Sequence, residues 1–204
     1  MNFPSSIIKN AVEAISNFPG IGKKTALRLV IYLLRNKKIA HIISESIKQL
    51  VNNTTYCMNC YNVSQSELCE ICSDVKRDKQ TICVVEDIRD ILAIENTMQY
   101  NGHYHVIGGL ISPIDGIGPS DLNIDHLIKK LANHNVNEVI FALCASMEGE
   151  TTSYYIYKKI KNIDLQITTI SKGISIGSEL EYTDQITLGR ALMNRYSFAN
   201  TLRE

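Results

Sequence analysis

Residues 57–72 read CMNCYNVSQSELCEIC, and this stretch divides the chain into parts of different character. Its two Cys-x-x-Cys pairs lie in a segment, 55–79, that is too poor in large apolar side chains to build a core of its own. Four thiolates at this spacing bind zinc tetrahedrally and leave no coordination position for water. The segment is therefore predicted to be a zinc finger with a structural Zn²⁺ ion, which takes the place of a core. The predicted zinc ligands are Cys57, Cys60, Cys69 and Cys72.

Paired cysteines can also bind an iron–sulfur cluster or act as a redox dithiol. An iron–sulfur cluster also takes four cysteine ligands, and that alternative stays open at this point. A redox dithiol needs one Cys-x-x-Cys pair at a helix start in a thioredoxin-like setting, which the polar context here does not supply. The two other cysteines, Cys83 and Cys144, fall inside predicted strands and are expected to be small buried core residues. His103 and His105 have no metal-ligand spacing and are expected to be structural.

The sequence on either side of the cysteines predicts different secondary structure. Before them, apolar residues recur at helical spacing over 7–15 and 26–34, and a third helix is expected over 39–51. After them, strands alternate with helices, which indicates a parallel sheet covered on both faces. The predicted strands are 82–85, 104–107, 138–143 and 165–170, and the predicted helices are 87–98, 124–132, 151–160 and 183–194.

These patterns predict a multidomain α/β protein. The expected domains are a helical lobe (1–54), a four-cysteine zinc finger (55–79), a parallel-sheet α/β domain (80–175) and a C-terminal helical tail for assembly (176–204). The tail carries an apolar stripe suited either to packing on another subunit or to packing within the chain. The stripe consists of Leu180, Ile186, Leu188, Leu192 and Met193.

The net charge of zero conceals an asymmetry between the two ends of the chain. Residues 1–56 carry eight basic and two acidic side chains, a balance of +6, so the remainder has a balance of −6. A basic lobe is what a polyanionic partner requires, although a solvated lysine-rich helix surface gives the same count. No apolar run approaches the roughly 20 residues of a membrane span, and no signal-peptide layout is present. A cytoplasmic location without a membrane partner is expected, and there paired cysteines are more often metal ligands than disulfides.

A turn with two glycines joins the first two predicted helices, in the stretch NFPGIGKKTA at 17–26. Glycine lets the backbone approach an anion closely, and the free N–H groups that begin the second helix favour a phosphate. The pattern resembles the helix-hairpin-helix motif, which binds the DNA backbone without reading bases. A tight interhelical turn with no ligand is the alternative. The predicted DNA-binding residues are Gly20, Gly22, Lys23, Lys24 and Arg28.

An acidic residue, Glu86, directly follows the first predicted strand of the α/β domain, at the sheet edge where ligands bind. This layout resembles a toprim domain, the metal-dependent catalytic module of primases and topoisomerases. That family combines such a glutamate with an Asp-x-Asp pair after a later strand, and here residues 144–150 read CASMEGE instead. Glu86, Glu148 and Glu150 are therefore expected to be solvated or partner-facing acids, with a weak Mg²⁺ site as the alternative.

The whole chain resembles the RecR family of bacterial recombination mediators. The resemblance rests on the domain order and on the paired cysteines, FPGIGKKTALRL, ICVVED, SPIDGIGP, MEGETTS and GISIGSELEYTDQITLGRAL. One departure is Cys144-Ala145-Ser146, where the family more often has Thr-Asn-Pro.

The resemblance implies a function without catalysis. Family members are DNA clamps, usually tetrameric rings, that work with RecO and RecF to load RecA onto gapped single strands coated with SSB. A nucleoid-associated protein bound to duplex and gapped DNA is thus expected. A Mg²⁺-dependent toprim enzyme acting on DNA, such as a nuclease, is the alternative, and a zinc-stabilised scaffold for acidic proteins is a third.

Overall fold

A computed structural model describes residues 5–133, 135–195 and 197, and the chain forms two compact units, Met1–Thr54 and Thr55–Glu204. The first unit contains α1 (Ser6–Ser16), α2 (Lys23–Arg35) and α3 (Lys37–Asn53). These are the three helices that the apolar spacing predicted.

The core of the first unit is small. Val12 of α1 packs against Ala26 and Val30 of α2, and all three side chains are buried. By contrast, α3 has no buried residue. Its apolar side chains are therefore left at the surface of the single chain.

The second unit begins with the cysteine segment. Two short antiparallel strands, β1 (Thr55–Tyr56) and β2 (Val63–Ser64), carry the first Cys-x-x-Cys turn between them. The short helix α4 (Glu70–Ser73) carries the last cysteine. Two-residue strands have no detectable periodicity, which is why the sequence did not predict β1 and β2.

The remainder of this unit is a four-stranded parallel sheet in the order β4-β3-β5-β6. Its strands are β3 (Asp78–Val85), β4 (Gly102–Val106), β5 (Glu138–Phe141) and β6 (Gln166–Thr169). The helices are α5 (Ile88–Glu95), α6 (Ile124–Asn133), α7 (Met147–Ile160) and α8 (Gln185–Met193), with 3-10 turns at Pro119–Asp121 and Leu180–Tyr182.

Successive residues of β3 belong to two different cores. Ile82 and Val84 share one apolar cluster with residues of α6 and α7, whereas Cys83 and Val85 share another with Ile91 of α5. Because side chains alternate across a strand, these clusters lie on opposite faces of the sheet. The prediction of a parallel sheet covered on both faces is confirmed. Within the described residues, no helix combines the length and apolar character needed to cross a bilayer.

The turn after β5 corrects one prediction. Cys144 was expected inside a strand, but β5 ends at Phe141 and the Cys144 side chain is exposed. The chain turns early because Ser146 caps α7, its side chain accepting a hydrogen bond from the Gly149 N–H at 3.1 Å. Helix α7 consequently begins four residues before the predicted start at 151. The prediction that Cys83 is buried is confirmed.

Candidate nucleic-acid interface and metal centre

The turn between α1 and α2 exposes the backbone at the start of α2. Gly20 has φ of 77°, in the left-handed region, and Gly22 is the N-cap of α2 without a side-chain hydrogen bond. A Cβ built on either glycine meets nothing within 4 Å, so open space surrounds the turn. The first N–H groups of an α-helix have no partner inside it. Here no side chain among the described residues caps these groups.

Positive side chains surround this helix start. Lys23, Lys24 and Arg28 of α2 are exposed, and none of them forms an ion pair with the residues that the structure describes. Lys24 and Arg28 are four residues apart and therefore share one helix face. Free N–H groups, the positive end of the helix dipole and unpaired cations make a site suited to a phosphate group.

The four cysteines that the sequence identified come together in the structure. Their sulfur atoms all lie within 4.8 Å of one another, and all four side chains are buried. The Sγ atoms of Cys60 and Cys69 are 3.5 Å apart, far beyond the roughly 2.05 Å of a disulfide. Zinc–sulfur bonds of about 2.3 Å in a tetrahedron place two sulfurs about 3.8 Å apart. The cluster can therefore hold a metal ion, and its geometry fits Zn²⁺.

Contacts within the cluster and burial favour the neutral thiol of one cysteine. The contacts of Cys60 with Cys69 and Cys72, together with burial, raise the pKa of the Cys60 thiol. A divalent cation reverses this preference because it stabilises thiolates. The Asn59 Nδ2 donates a hydrogen bond to Cys72 Sγ at 3.3 Å, which is the kind of outer-shell contact that orients a metal ligand.

The cysteine segment is attached to the sheet at β4, an edge strand. The Val106 N–H donates to the Cys60 carbonyl at 2.8 Å, and Lys130 Nζ of α6 donates to the Asn59 carbonyl at 3.2 Å. The ring of Tyr61 packs edge-on against His126, with centroids 4.8 Å apart. The first contact pairs a backbone group of an edge strand, and the other two fasten the cysteine segment to α6.

Two stacked histidines lie beneath this attachment. The rings of His105 and His126 are 5.6 Å apart and nearly parallel, and His105 Nε2 donates to the Asn123 carbonyl at 2.9 Å. Burial lowers the pKa of His105 to about 3, so the ring is neutral near pH 7. His103 is buried as well. The expectation that His103 and His105 are structural agrees with these positions.

The predicted acids occupy separate places at the carboxyl edge of the sheet. Glu86 follows β3, where burial and the neighbouring Asp90 raise the pKa of its carboxyl group. Glu150, in the first turn of α7, accepts hydrogen bonds from Lys172 at 2.9 Å and Arg190 at 2.8 Å. Among the described residues, one group of three or more histidine, cysteine, aspartate or glutamate side chains could hold a metal ion, and it is the four cysteines. Glu86, Glu148 and Glu150 do not form a comparable cluster.

The sequence did not indicate that Asn59 and Lys130 belong to the metal centre. Asn59 stands inside the first Cys-x-x-Cys pair, and its position there was the only signal available. Lys130 lies 71 residues from Asn59 along the chain, so no local pattern connects the two.

Comparison with known proteins agrees with this architecture. Family models match residues 8–51 (RecR, helix-hairpin-helix), 80–171 (Toprim domain) and 173–196 (RecR, C-terminal). The chain is 52% identical to a recombination protein RecR of Flavobacterium johnsoniae, over 100% of this chain and 99% of that protein. It is 48% identical to RecR of Bacteroides fragilis and 46% identical to RecR of Porphyromonas gingivalis, each over 98% of both chains.

Three family models and relatives of similar length thus cover the helical unit, the sheet and the tail. The chain belongs to the RecR family of recombination proteins.

Proposed function

We propose that this protein is a non-enzymatic DNA clamp of recombinational repair, which acts with RecO and RecF to load RecA onto SSB-coated gapped DNA. The family supports a role in recombination and repair. The observation that carries the DNA-binding part is the uncapped start of α2 beside Lys23, Lys24 and Arg28. A protein with this function works in the bacterial cytoplasm, at the nucleoid, and that location is part of the proposal.

The hairpin holds DNA through its phosphates. The free N–H groups beyond Gly20 and Gly22 donate hydrogen bonds to one phosphate, and Lys24 and Arg28 add charge along the same helix face. Contacts of this kind carry no information about base sequence. Binding is therefore expected to be indifferent to sequence and to weaken steeply as salt rises.

Several copies of the chain form a ring, most simply a tetramer. Exposed apolar side chains support this, because α3 presents Ile42, Leu50 and Val51 with 65%, 63% and 72% of their surface accessible. In the tail, Ile186 and Met193 are exposed as well, which favours packing on another subunit over packing within the chain. A ring combines several weak phosphate contacts on one DNA, so each can be modest.

Zn²⁺ bound by the four cysteines supplies structure and no chemistry. A tetrahedral site with four protein ligands has no position for a substrate or an activated water. The chain then has four functional parts, with a DNA-binding lobe at 1–54, a zinc finger at 55–79, a toprim domain at 80–175 and a tail for assembly at 176–204.

The toprim domain serves as a protein-binding platform. Phosphoryl-transfer chemistry with two metal ions needs several carboxylates that converge on hard cations. Here the Asp-x-Asp pair is absent from the sequence and Glu150 is engaged by two cations. Glu86 and Glu148 remain as acids that face a partner such as RecO, with weak Mg²⁺ binding at most. Plasmid DNA should stay intact with the protein and Mg²⁺, and cleavage that disappears in Glu86→Gln would contradict this.

A reconstituted loading reaction tests the whole proposal. Gapped DNA is coated with SSB, and RecA-dependent ATP hydrolysis is followed after RecO and this protein are added. We expect hydrolysis to begin sooner with the wild-type protein than with the Lys24→Ala/Arg28→Ala double variant. Equal lag times with the wild type, with the variant and without either protein would refute a loading function.

A further inference from the structure

A buried ammonium group on α6 has no partner of opposite charge among the residues that the structure describes. Lys130 exposes 8% of its surface, and lysine is almost never buried to this degree unless it is paired with an opposite charge. In the described part of the chain, no carboxylate forms an ion pair with Lys130. Lys130 donates a hydrogen bond to the Asn59 carbonyl oxygen, at 3.2 Å.

The cysteine cluster, a source of negative charge once it holds a metal ion, is connected to Lys130 through Asn59. Asn59 lies within the first Cys-x-x-Cys pair, and its Nδ2 donates to Cys72 Sγ at 3.3 Å. One residue thus contacts Lys130 through its backbone and a metal ligand through its side chain. Four thiolates around one Zn²⁺ ion leave a net charge of about −2, and a buried charge of this kind is costly unless a cation compensates it.

We propose that Lys130 is the counter-ion of the metal-loaded cysteine cluster and increases the affinity of the cluster for zinc. This inference rests on the proposed Zn²⁺ site. Lys130 acts as a positioning residue, because it contacts the ligand segment rather than the metal. The competing explanation is that Lys130 only fastens α6 to the cysteine segment through its hydrogen bond.

Three single variants separate charge from hydrogen bonding. Lys130→Met keeps the length of the side chain and removes both charge and donor, whereas Lys130→Gln removes the charge and keeps a donor. Lys129→Met is the matched control, since Lys129 is the neighbouring residue on α6 and is exposed. The affinity of each full-length protein for Zn²⁺ is measured by competition with a chelator. The sulfur-to-cobalt charge-transfer absorbance of Co²⁺-loaded protein reports the four thiolates independently.

We expect Lys130→Met and Lys130→Gln to bind Zn²⁺ 10–100-fold more weakly than the wild type, the range typical for lost outer-shell partners of metal ligands. Lys129→Met should bind like the wild type. If Lys130→Gln retains wild-type affinity, the hydrogen bond is sufficient and the counter-ion role is overturned. The same conclusion follows if Lys130→Met retains it.

Two further outcomes are also decisive. If neither Lys130 variant folds with Zn²⁺ present, Lys130→Arg must fold and bind Zn²⁺ within tenfold of the wild type, and its failure overturns the inference. If the wild type and Lys129→Met themselves bind neither Zn²⁺ nor Co²⁺, the zinc proposal has failed, which is distinct from a failure of the role of Lys130 alone.

Discussion

Replacing Gly149 by alanine should strongly destabilise the second unit. Gly149 lies in the first turn of α7, where an added Cβ would stand 2.0 Å from the Cys144 carbonyl oxygen and 3.0 Å from the Cys144 carbonyl carbon. Both atoms belong to the backbone, so no side-chain rotation relieves the contact. The start of α7 must therefore move by about 1 Å or more relative to the end of the preceding turn, the displacement needed to restore an ordinary contact distance.

The expected loss follows from the size of this displacement. Overpacking of a well-packed site costs about 1–3 kcal/mol, and the upper end applies because backbone must move. For a protein of this size, about 3 kcal/mol lowers Tm by about 6–12 °C. Thermal unfolding followed by far-ultraviolet circular dichroism measures the shift.

Gly189→Ala is the control for this experiment. Gly189 lies within α8, and a Cβ there meets nothing within 4 Å. Alanine is favoured over glycine inside a helix by about 1 kcal/mol, so Tm should stay the same or rise slightly. If Gly149→Ala had the same Tm as Gly189→Ala, the described packing between α7 and the turn after β5 would be refuted.

Two further perturbations test the interior of the second unit. Burial lowers the pKa of His105 from 6.5 to about 3, so the folded state resists a proton that the unfolded state accepts, and stability is lost as pH falls below 6.5. At pH 5 the contribution of His105 to this loss is about 2 kcal/mol. Burial also lowers the pKa of His103 and His126, so denaturant titrations at pH 7 and 5 should show a loss in both proteins that is about 2 kcal/mol larger in the wild type than in His105→Gln. An equal loss in both proteins would contradict the burial argument. Removal of zinc by a chelator, or Cys72→Ser, should unfold the segment 55–79 and expose it to limited proteolysis, because no apolar core replaces the metal. Unchanged proteolysis after verified loss of the metal would show that other contacts hold this segment.

Local patterns were sufficient for much of the fold. The continuous apolar run Ile82-Cys83-Val84-Val85 indicated a buried strand, and its alternate residues do pack into two separate cores. The two Cys-x-x-Cys pairs likewise predicted a cluster that the fold brings together. In both cases, the signal and the structure that it predicts depend on residues close in the chain.

Contacts between distant residues could not be read from the sequence. Nothing in the sequence distinguishes Lys130 from the other lysines, and only the fold brings its ammonium group to Asn59. Glu150 was expected to face solvent or a partner, whereas Lys172 and Arg190 contact it across 22 and 40 residues. The exposure of Cys144 depends on where β5 ends, and strand ends are decided by capping and packing rather than by composition.

The central proposal is that the hairpin of the first unit binds DNA through phosphates. The most direct test compares two double variants that lose the same charge from the same unit, Lys24→Ala/Arg28→Ala at the hairpin and Lys38→Ala/Lys48→Ala on α3. DNA affinity is measured as a function of salt for both variants and for the wild type. We expect the hairpin variant to bind more weakly and its salt slope to fall by about 0.7–0.9 for each lost phosphate contact, whereas the α3 variant stays close to the wild type. Equal losses in the two variants would mean that only the overall charge of the unit attracts DNA, and would contradict a specific role of the hairpin.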